Sequence, residues 1–190
     1  MRSEVHPIIS SAAAGRLPAW AVVRPRRLRH LASVSALLAR WAATLRLNEE
    51  DRLRWSAGGW LHDALRDADP ESMAQEAGDF PALVRHGPAA AARLKAAGVS
   101  DAELLEAVAY HSLGRPGLGR LGCFLYLADY LEPGRSHQPQ TLAAWRARLP
   151  HDHRAALRWV CERRIADAVD RSRVLHPATV SFWNELVEDG

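Results

Sequence analysis

Residues 124–135 read FLYLADYLEPGR, a mostly apolar segment in which Asp129 is the carboxylate inside the apolar run, before the chain reaches Glu132, Pro133 and Gly134. Apolar residues occupy every side of the stretch from Leu121 to Leu131, which predicts a central, buried helix. An isolated ionised carboxylate at Asp129 would be strongly disfavoured there without a cation beside it. That cation is either a metal ion or a buried arginine, and both interpretations stay open at this point.

Helical periodicity continues on both sides of this segment, and we find no period-two alternation that would predict a strand. Pro25 can open a first long helix. Asn48 is a predicted N-cap, and the helix after it is expected to run to about Arg66. A short helix is predicted within 67–79, and another from Pro88 to a stop at Gly98. A capping box of Ser100 and Glu103 predicts a helix that runs to His111. Two last helices are predicted over about 151–175 and 177–186. The sequence therefore predicts an all-α fold in one domain.

The composition is that of an ordinary globular protein of 190 residues with a formal net charge of +3. All basic residues except Lys95 are arginines, and they are scattered along the chain, which favours a small phosphate-bearing ligand over nucleic acid. The two cysteines, Cys123 and Cys161, form no CxxC pair, and no apolar run is long enough for a membrane span. We therefore expect a cytoplasmic protein without a nucleic-acid or membrane partner.

Two His-Asp dipeptides occur, so the dipeptide alone is weak evidence for a site. His62-Asp63 is expected late in an amphipathic helix, where an unpaired carboxylate would be costly to bury. His151-Asp152 follows Pro150 at a predicted helix start, where solvated polar residues are normal. The first pair is therefore the candidate, and the second is expected to be a helix-end feature.

Other histidines complete an ordered set with the first pair and Asp129. The set reads His30, His62, Asp63, His86, His111 and Asp129. Each histidine alone is more often structural than a ligand. Together, imidazoles and carboxylates without thiolates suit iron, manganese, cobalt or zinc with open positions for water and substrate. Six ligands with one shared aspartate would allow a two-metal site.

The ordered set resembles the HD superfamily of metal-dependent phosphohydrolases, which is named for its His-Asp pair. The strings YHSLGR at 110–115 and LADYLEPGR at 127–135 further resemble the bacterial YqeK-like family of symmetrical diadenosine-tetraphosphate hydrolases. This resemblance implies a single HD-domain helical bundle. It begins near residue 24, so we expect an N-terminal extension at 1–23 and an HD-type domain at 24–190.

The resemblance also implies a role for each matched residue. His30, His62, Asp63 and Asp129 would hold one divalent ion, and Asp63 would bridge to a second ion held by His86 and His111. Iron is the family's preferred metal, with manganese, cobalt and zinc as alternatives. The expected catalytic residues are Asp63, Arg66, Arg115 and Arg135, and the three arginines would bind substrate phosphate. Arg66 differs from the family, which usually has lysine there.

The implied reaction is symmetrical cleavage of diadenosine tetraphosphate to two ADP by a metal-activated hydroxide. The partner would be this small nucleotide substrate, and the oligomeric state stays open, with a homodimer as one option. Two alternatives remain: an HD nucleotidase or deoxynucleotide phosphohydrolase acting on another nucleotide, and a non-catalytic nucleotide-binding HD module. A cyclic-dinucleotide phosphodiesterase of the HD-GYP type is disfavoured, because no Gly-Tyr-Pro string follows.

Overall fold

The structure, a computed structural model, describes residues 5–135 and 138–188. Over these residues it contains two short 3-10 turns, at Glu71–Met73 and Ala82–Val84, and ten α-helices. The helices are α1 (Pro7–Ala13), α2 (Pro25–Thr44), α3 (Glu49–Leu61), α4 (Ala74–Ala77), α5 (His86–Ala96), α6 (Ala102–Tyr110), α7 (Arg120–Leu131), α8 (Pro139–Arg148), α9 (His153–Asp170) and α10 (Pro177–Glu188). No strand occurs in this described part, which confirms the all-α prediction.

Helix α7 is the central helix, as its apolar sequence predicts. Leu121, Phe124, Leu125 and Leu127 are all buried, and Asp129 is buried with them. Helices α2, α3, α6, α8 and α9 all contact α7. None of the helices within 5–135 and 138–188 is both long and apolar enough to span a membrane.

Helix α3 ends earlier than predicted. Asn48 caps its start, because the side-chain oxygen accepts from the backbone N–H of Asp51 at 2.8 Å. The helix stops at Leu61 instead of Arg66. The next residues bond to another part of the chain: the carbonyl of Ala64 accepts from the N–H of Val22 at 2.8 Å. The N–H groups of Ala64 and Arg66 donate to carbonyls only three residues earlier, so turns follow the helix and His62-Asp63 lies just past its end.

Other predicted boundaries also need correction. Helix α5 begins at His86, two residues before Pro88. The predicted capping box at Ser100 is wrong, because Asp101 caps α6 and accepts from the N–H of Leu104 at 3.0 Å. Helix α9 ends at Asp170, and the residues up to 175 form a linker. Helices α1 and α8 were not predicted, and α1 packs against α3.

Two glycines allow close helix contacts beside the candidate residues. A Cβ on Gly59 in α3 would lie 2.4 Å from the Cα of Ser35 in α2. A Cβ on Gly87 in α5 would lie 2.9 Å from the carbonyl oxygens of Val108 and Ala109 in α6. Both neighbours are backbone atoms, which cannot move aside as a side chain could. These contacts set the spacing of α2 to α3 and of α5 to α6.

We predict that Gly59→Ala destabilises the protein by about 1–3 kcal/mol, because the added methyl forces α2 and α3 apart. The neighbouring Gly58→Ala is a matched control. Its Cβ would meet Leu104 and Leu121 at 3.5 Å, which is ordinary contact. That variant should gain up to about 1 kcal/mol from helix propensity. Urea unfolding of both variants measures the difference, and equal stability would contradict the close-contact argument.

Candidate metal centre and its cavity

The structure brings all six residues of the ordered set into one cluster, in which His30 is half-buried and the other five are buried. His30 comes from the second turn of α2, and Asp129 comes from the last turns of α7. His86 is the first residue of α5, and His111 directly follows α6. The fifth and sixth members, His62-Asp63, follow the end of α3. Side chains from five helices or helix ends therefore converge on one point.

The Asp63 carboxylate lies between two pairs of imidazoles. Its Oδ1 is 3.1 Å from Nε2 of His86 and 3.4 Å from Nε2 of His111. Its Oδ2 is 3.7 Å from Nε2 of His30 and 3.8 Å from Nε2 of His62. Each oxygen faces one pair, which is the arrangement a bridging carboxylate requires.

The second carboxylate, Asp129, lies next to only one of the two imidazole pairs, that of His30 and His62. Its Oδ1 lies 3.2 Å from Nε2 of His30 and 4.0 Å from Nε2 of His62. The two Nε2 atoms of this pair are 3.3 Å apart. In the other pair, the Nε2 atoms of His86 and His111 are 3.2 Å apart.

Backbone carbonyls orient two of the imidazoles. Nδ1 of His62 lies 3.0 Å from the carbonyl oxygen of Gly59, and Nδ1 of His111 lies 2.8 Å from that of Val108. A carbonyl oxygen only accepts hydrogen bonds, so Nδ1 carries the proton in both rings. The Nε2 lone pairs then face the carboxylates and are available as metal ligands.

Burial controls the charge of the imidazoles. It lowers the pKa of His62 to about 3 and also lowers the pKa of His86, so both rings are neutral near pH 7. Burial also acts to lower the pKa of His30, but hydrogen bonds to Asp129 and Glu132 raise it to about 9. A metal ion bound by His30 would therefore replace a proton.

The two carboxylates are ionised despite their burial. Burial acts to raise the pKa of Asp63, but the neighbouring imidazoles, His62 first among them, hold it well below its usual range. Burial likewise acts to raise the pKa of Asp129, but a hydrogen bond from His30 and the charge of Arg164 hold it well below its usual range. Ionised oxygens in a buried cluster are strong ligands for a divalent cation.

The donor atoms fit divalent metal ions. Two sets of three ligand atoms lie within 4.8 Å of one another: His30 with His62 and Asp129, and His62 with Asp63 and His111. Nitrogen and oxygen donors without thiolate suit iron, manganese, cobalt or zinc.

Three arginines contact the carboxylates directly. Nη1 of Arg27 donates to Oδ2 of Asp63 at 3.0 Å. Nη2 of Arg135 donates to Oδ1 of Asp129 at 2.7 Å, and Nη2 of Arg164 donates to its Oδ2 at 2.9 Å. Guanidinium groups therefore stabilise both buried charges, and the protonated His30 ring adds to this at Asp129.

Comparison with known proteins identifies the family. A family model described as the HD domain matches residues 27–134. The chain belongs to the HD domain family. The matched residues include helices α3 to α7, most of α2 and all six cluster residues named above. The resemblance seen in the sequence is confirmed.

Three curated relatives share the name symmetrical bis(5'-nucleosyl)-tetraphosphatase. The protein from Bacillus subtilis is 50% identical over 40 residues, which cover 21% of this chain and 22% of the relative. The Staphylococcus aureus protein is 32% identical over 96 residues, covering 45% and 50%. The protein from Halalkalibacterium halodurans is 28% identical over 90 residues, covering 47% of each. The HD-domain chain thus spans at most about half the length of these relatives.

A solved structure from Clostridium acetobutylicum supports the fold. It is described as a predicted HD superfamily hydrolase involved in NAD metabolism. The two chains superpose with a TM-score of 0.77, and the match covers 96% of each. At 23% identity, this likeness shows that the HD fold is shared.

The three arginines that the sequence singled out have different positions in this HD domain. Arg135 contacts Asp129, as described, and lies 3.9 Å from Glu132. Nη1 of Arg66 donates to the carbonyl of Leu83 at 2.9 Å and lies 3.2 Å from Nδ1 of His86. The structure does not bring the third, Arg115, to the cluster.

Arg115 instead pairs with a different carboxylate. Its guanidinium forms an ion pair with Glu106 and lies 5.5 Å from the ring centre of Tyr110. Arg115 is not among the described residues that line the cavity over the cluster. Its expected phosphate contact therefore has no support from the structure.

Sequence reasoning missed Arg27, Glu132 and Arg164. Arg27 is one helical turn before His30, a spacing that places both on one face of α2 and could have indicated it. Glu132 follows the apolar helix in the quoted motif, and its Oε1 lies 3.4 Å from Nδ1 of His30. Arg164 is 35 residues from Asp129, and no local signal in the sequence distinguishes it from the other arginines.

The second His-Asp pair lies outside the cluster, as expected. His151 and Asp152 are exposed in the turn before α9. Asp152 accepts from Nε of Arg148 at 2.8 Å, four residues earlier in the chain. This is a solvent-exposed ion pair near a helix end.

A cavity of about 1450 Å³ opens over the cluster. Asp63, His86, His111 and Asp129 form part of its lining. Of the described residues, seven arginines and four aspartates line it, so the cavity has an excess of positive charge. The arginines are Arg27, Arg66, Arg135, Arg163, Arg164, Arg171 and Arg173. Such a lining attracts a polyanionic ligand.

We predict that Asp63→Ala loses most of its bound metal and keeps its helical content, because both imidazole pairs lose their shared carboxylate. The matched control is the double variant His151→Ala/Asp152→Ala, which should bind as much metal as the parent. Elemental analysis of protein purified without chelator gives the metal content, and circular dichroism gives the helicity. Normal metal content in Asp63→Ala would show that the cluster is assigned wrongly.

We also predict that Arg164→Met weakens metal binding by about 10- to 100-fold, because Asp129 loses the group that orients it. Arg164 is held 4.6 Å from the ring centre of Tyr126, and its Nη1 donates to the carbonyl of Ser112 at 3.3 Å. Titration with Mn²⁺ measures the dissociation constant. Arg163→Met, at a residue that pairs with Glu162, is the control and should bind like the parent. Equal constants for both variants would rule out the orienting role.

Proposed function

We propose that this HD-domain protein is a metal-dependent phosphohydrolase that cleaves diadenosine tetraphosphate symmetrically into two ADP. The observation that carries the proposal is the Asp63 carboxylate, which faces one imidazole pair with each oxygen at the base of a cationic cavity. This arrangement suits two divalent ions that share one ligand. The name common to the three curated relatives supports the substrate.

The proposed ligand assignment is the one that the family resemblance implies, with one ion at each imidazole pair. His30, His62, Asp63 and Asp129 would hold one ion, and Asp63, His86 and His111 would hold the other. Bound divalent ions would lower the pKa of water and neutralise charge on phosphate oxygens. Iron is the expected metal, and manganese, cobalt or zinc would supply the same chemistry.

The reaction is a hydrolysis at the centre of the polyphosphate. The water oxygen bonds to one of the two central phosphorus atoms, and the bond from that phosphorus to the central bridging oxygen breaks. The bridging oxygen leaves with the other half, and the proton from water completes the second ADP. No oxidant, reductant or second substrate is required.

The cavity arginines would bind and orient the phosphates. Arg66 and Arg135 line the cavity next to His86 and Asp129, so their guanidinium groups can reach a phosphate held at the cluster. Charge-assisted contacts of this kind are worth about 1.5–3 kcal/mol each. They would hold the central phosphorus atoms over the ligand set while the bond breaks.

The size of the cavity favours a dinucleotide over a mononucleotide. Its volume of about 1450 Å³ exceeds the range of roughly 300–1,000 Å³ that is common for small-ligand pockets. The positive lining continues from Arg163 in α9 to Arg171, just past the end of that helix. A long polyanion with a nucleoside at each end would use both the volume and the charge.

We predict that the metal-loaded protein converts diadenosine tetraphosphate to ADP alone. Chromatography of the products, with the reaction run in ¹⁸O-labelled water, should show one labelled oxygen in half of the ADP. ATP and AMP as products would mean asymmetrical cleavage and would contradict the proposal. The Asp63→Ala variant is the control for contaminating hydrolases, because it should release no ADP.

A panel of other nucleotides tests the alternatives. Faster hydrolysis of a deoxynucleoside triphosphate or a mononucleotide would favour another HD nucleotidase. Binding of nucleotides by fully metal-loaded protein without any turnover would favour a non-catalytic HD module.

A further inference from the structure

Two apolar side chains are exposed at the cavity that covers the metal cluster. Leu83 is 51% exposed and Val174 is 97% exposed. Both line the same cavity, together with Pro81 and Pro177. A single exposed apolar residue needs no explanation, but several along one binding cavity form a surface that a ligand can cover.

The two residues are carried by segments that contact each other. Leu83 lies in the 3-10 turn Ala82–Val84, and Val174 lies in the linker between α9 and α10. His176 from this linker stacks on Phe80, just before the turn, with ring centres 5.3 Å apart and planes at 14°. The stack joins the segments that carry Leu83 and Val174, and both residues line the same cavity.

Charged groups adjoin this apolar part of the cavity. Arg66 donates to the carbonyl of Leu83 at 2.9 Å, which ties the turn to an arginine that we propose binds phosphate. Arg171 and Arg173 precede Val174 in the linker, and both pair with Asp167. A ligand that fits here has an apolar group at one end and several negative charges next to it.

We propose that Leu83 and Val174 form a nucleobase subsite, in which one adenine of the substrate packs while its phosphates extend toward the metal cluster. This inference rests on the proposed function and adds the place where the nucleoside binds. Aliphatic side chains contact the face of a base and do not read the hydrogen-bonding groups on its edge. The subsite is therefore expected to accept adenine and guanine with little discrimination.

The test compares a ligand that has a base with one that has none. The double variant Leu83→Ser/Val174→Ser and the parent, both metal-loaded, are titrated calorimetrically with ADP and with inorganic pyrophosphate. We expect the variant to bind ADP about tenfold more weakly, because it loses apolar contacts to the base. Its affinity for pyrophosphate should stay the same, because the arginines and the metal cluster are intact.

The controls use exposed valines away from the cavity. Val22 is 44% exposed and Val187 is 40% exposed, and neither lines the cavity in the described part of the chain. Val22→Ser and Val187→Ser should therefore bind both ligands like the parent. Thermal unfolding of each single variant, Leu83→Ser and Val174→Ser, verifies that the change at an exposed residue leaves the fold intact.

Several outcomes would overturn the subsite. Unchanged ADP affinity in the double variant, an equal loss for ADP and pyrophosphate, or no binding of ADP by the parent would each do so. The titration involves no turnover, so it is independent of the reaction. A protein that binds ADP through Leu83 and Val174 but releases no ADP from diadenosine tetraphosphate would refute the proposed reaction and leave the subsite standing.

Discussion

The buried Asp63 carboxylate constrains the positions of the surrounding helices, because each of its oxygens lies next to a different pair of imidazoles. Moving an ionised carboxylate out of water is costly, and the cost is offset only when cationic or hydrogen-bonding partners lie at the right distance. Those partners come from α2, α3, α5 and α6, with Arg27 adding a direct ion pair. The contacts of Asp63 therefore fix the relative positions of four helices. The apolar packing around α7 stabilises this arrangement.

Asp129 shows that two explanations for a buried carboxylate can hold together. From the sequence, its partner was expected to be either a metal ion or an arginine. In the structure, Oδ1 faces His30 and Arg135, and Oδ2 is bonded to Arg164. Arg164 is itself buried beside the ring of Tyr126, so it can hold the carboxylate in one orientation. Arg164 thus holds Oδ2 of Asp129, while Oδ1 faces the imidazoles of His30 and His62.

The sequence predicted the parts of the fold that depend on local patterns. The long helix from Pro25, the cap at Asn48 and the buried helix α7 follow from periodicity and capping, and all three are found. The end of α3 could not be predicted, because the helical pattern continues past Leu61 while the chain there forms turns and bonds to Val22, about 40 residues away. The spacing of Ser100 and Glu103 fits a capping box, but Asp101 also has a capping side chain, and the structure uses Asp101.

The same distinction applies to the candidate site. The six cluster residues could be selected from order and chemistry, and the structure brings them together, while their role as ligands stays a prediction. Arg164 pairs with Asp129, which is 35 residues away, and no local sequence pattern indicates this contact. Arg115 matched a family motif, yet its side chain lies on Glu106. A motif match identifies a residue, but the direction of its side chain depends on neighbours that the motif does not contain.

The close helix contacts at Gly59 and Gly87 have a genetic consequence. A single nucleotide change that alters either codon's amino acid adds a side chain where backbone atoms leave no room. In saturation mutagenesis, Gly59 and Gly87 should therefore tolerate substitution as poorly as the histidines beside them, although glycine has no reactive group. Mutations at Gly59 or Gly87 can therefore disrupt the HD cluster, although neither glycine would contact a metal ion or a nucleotide.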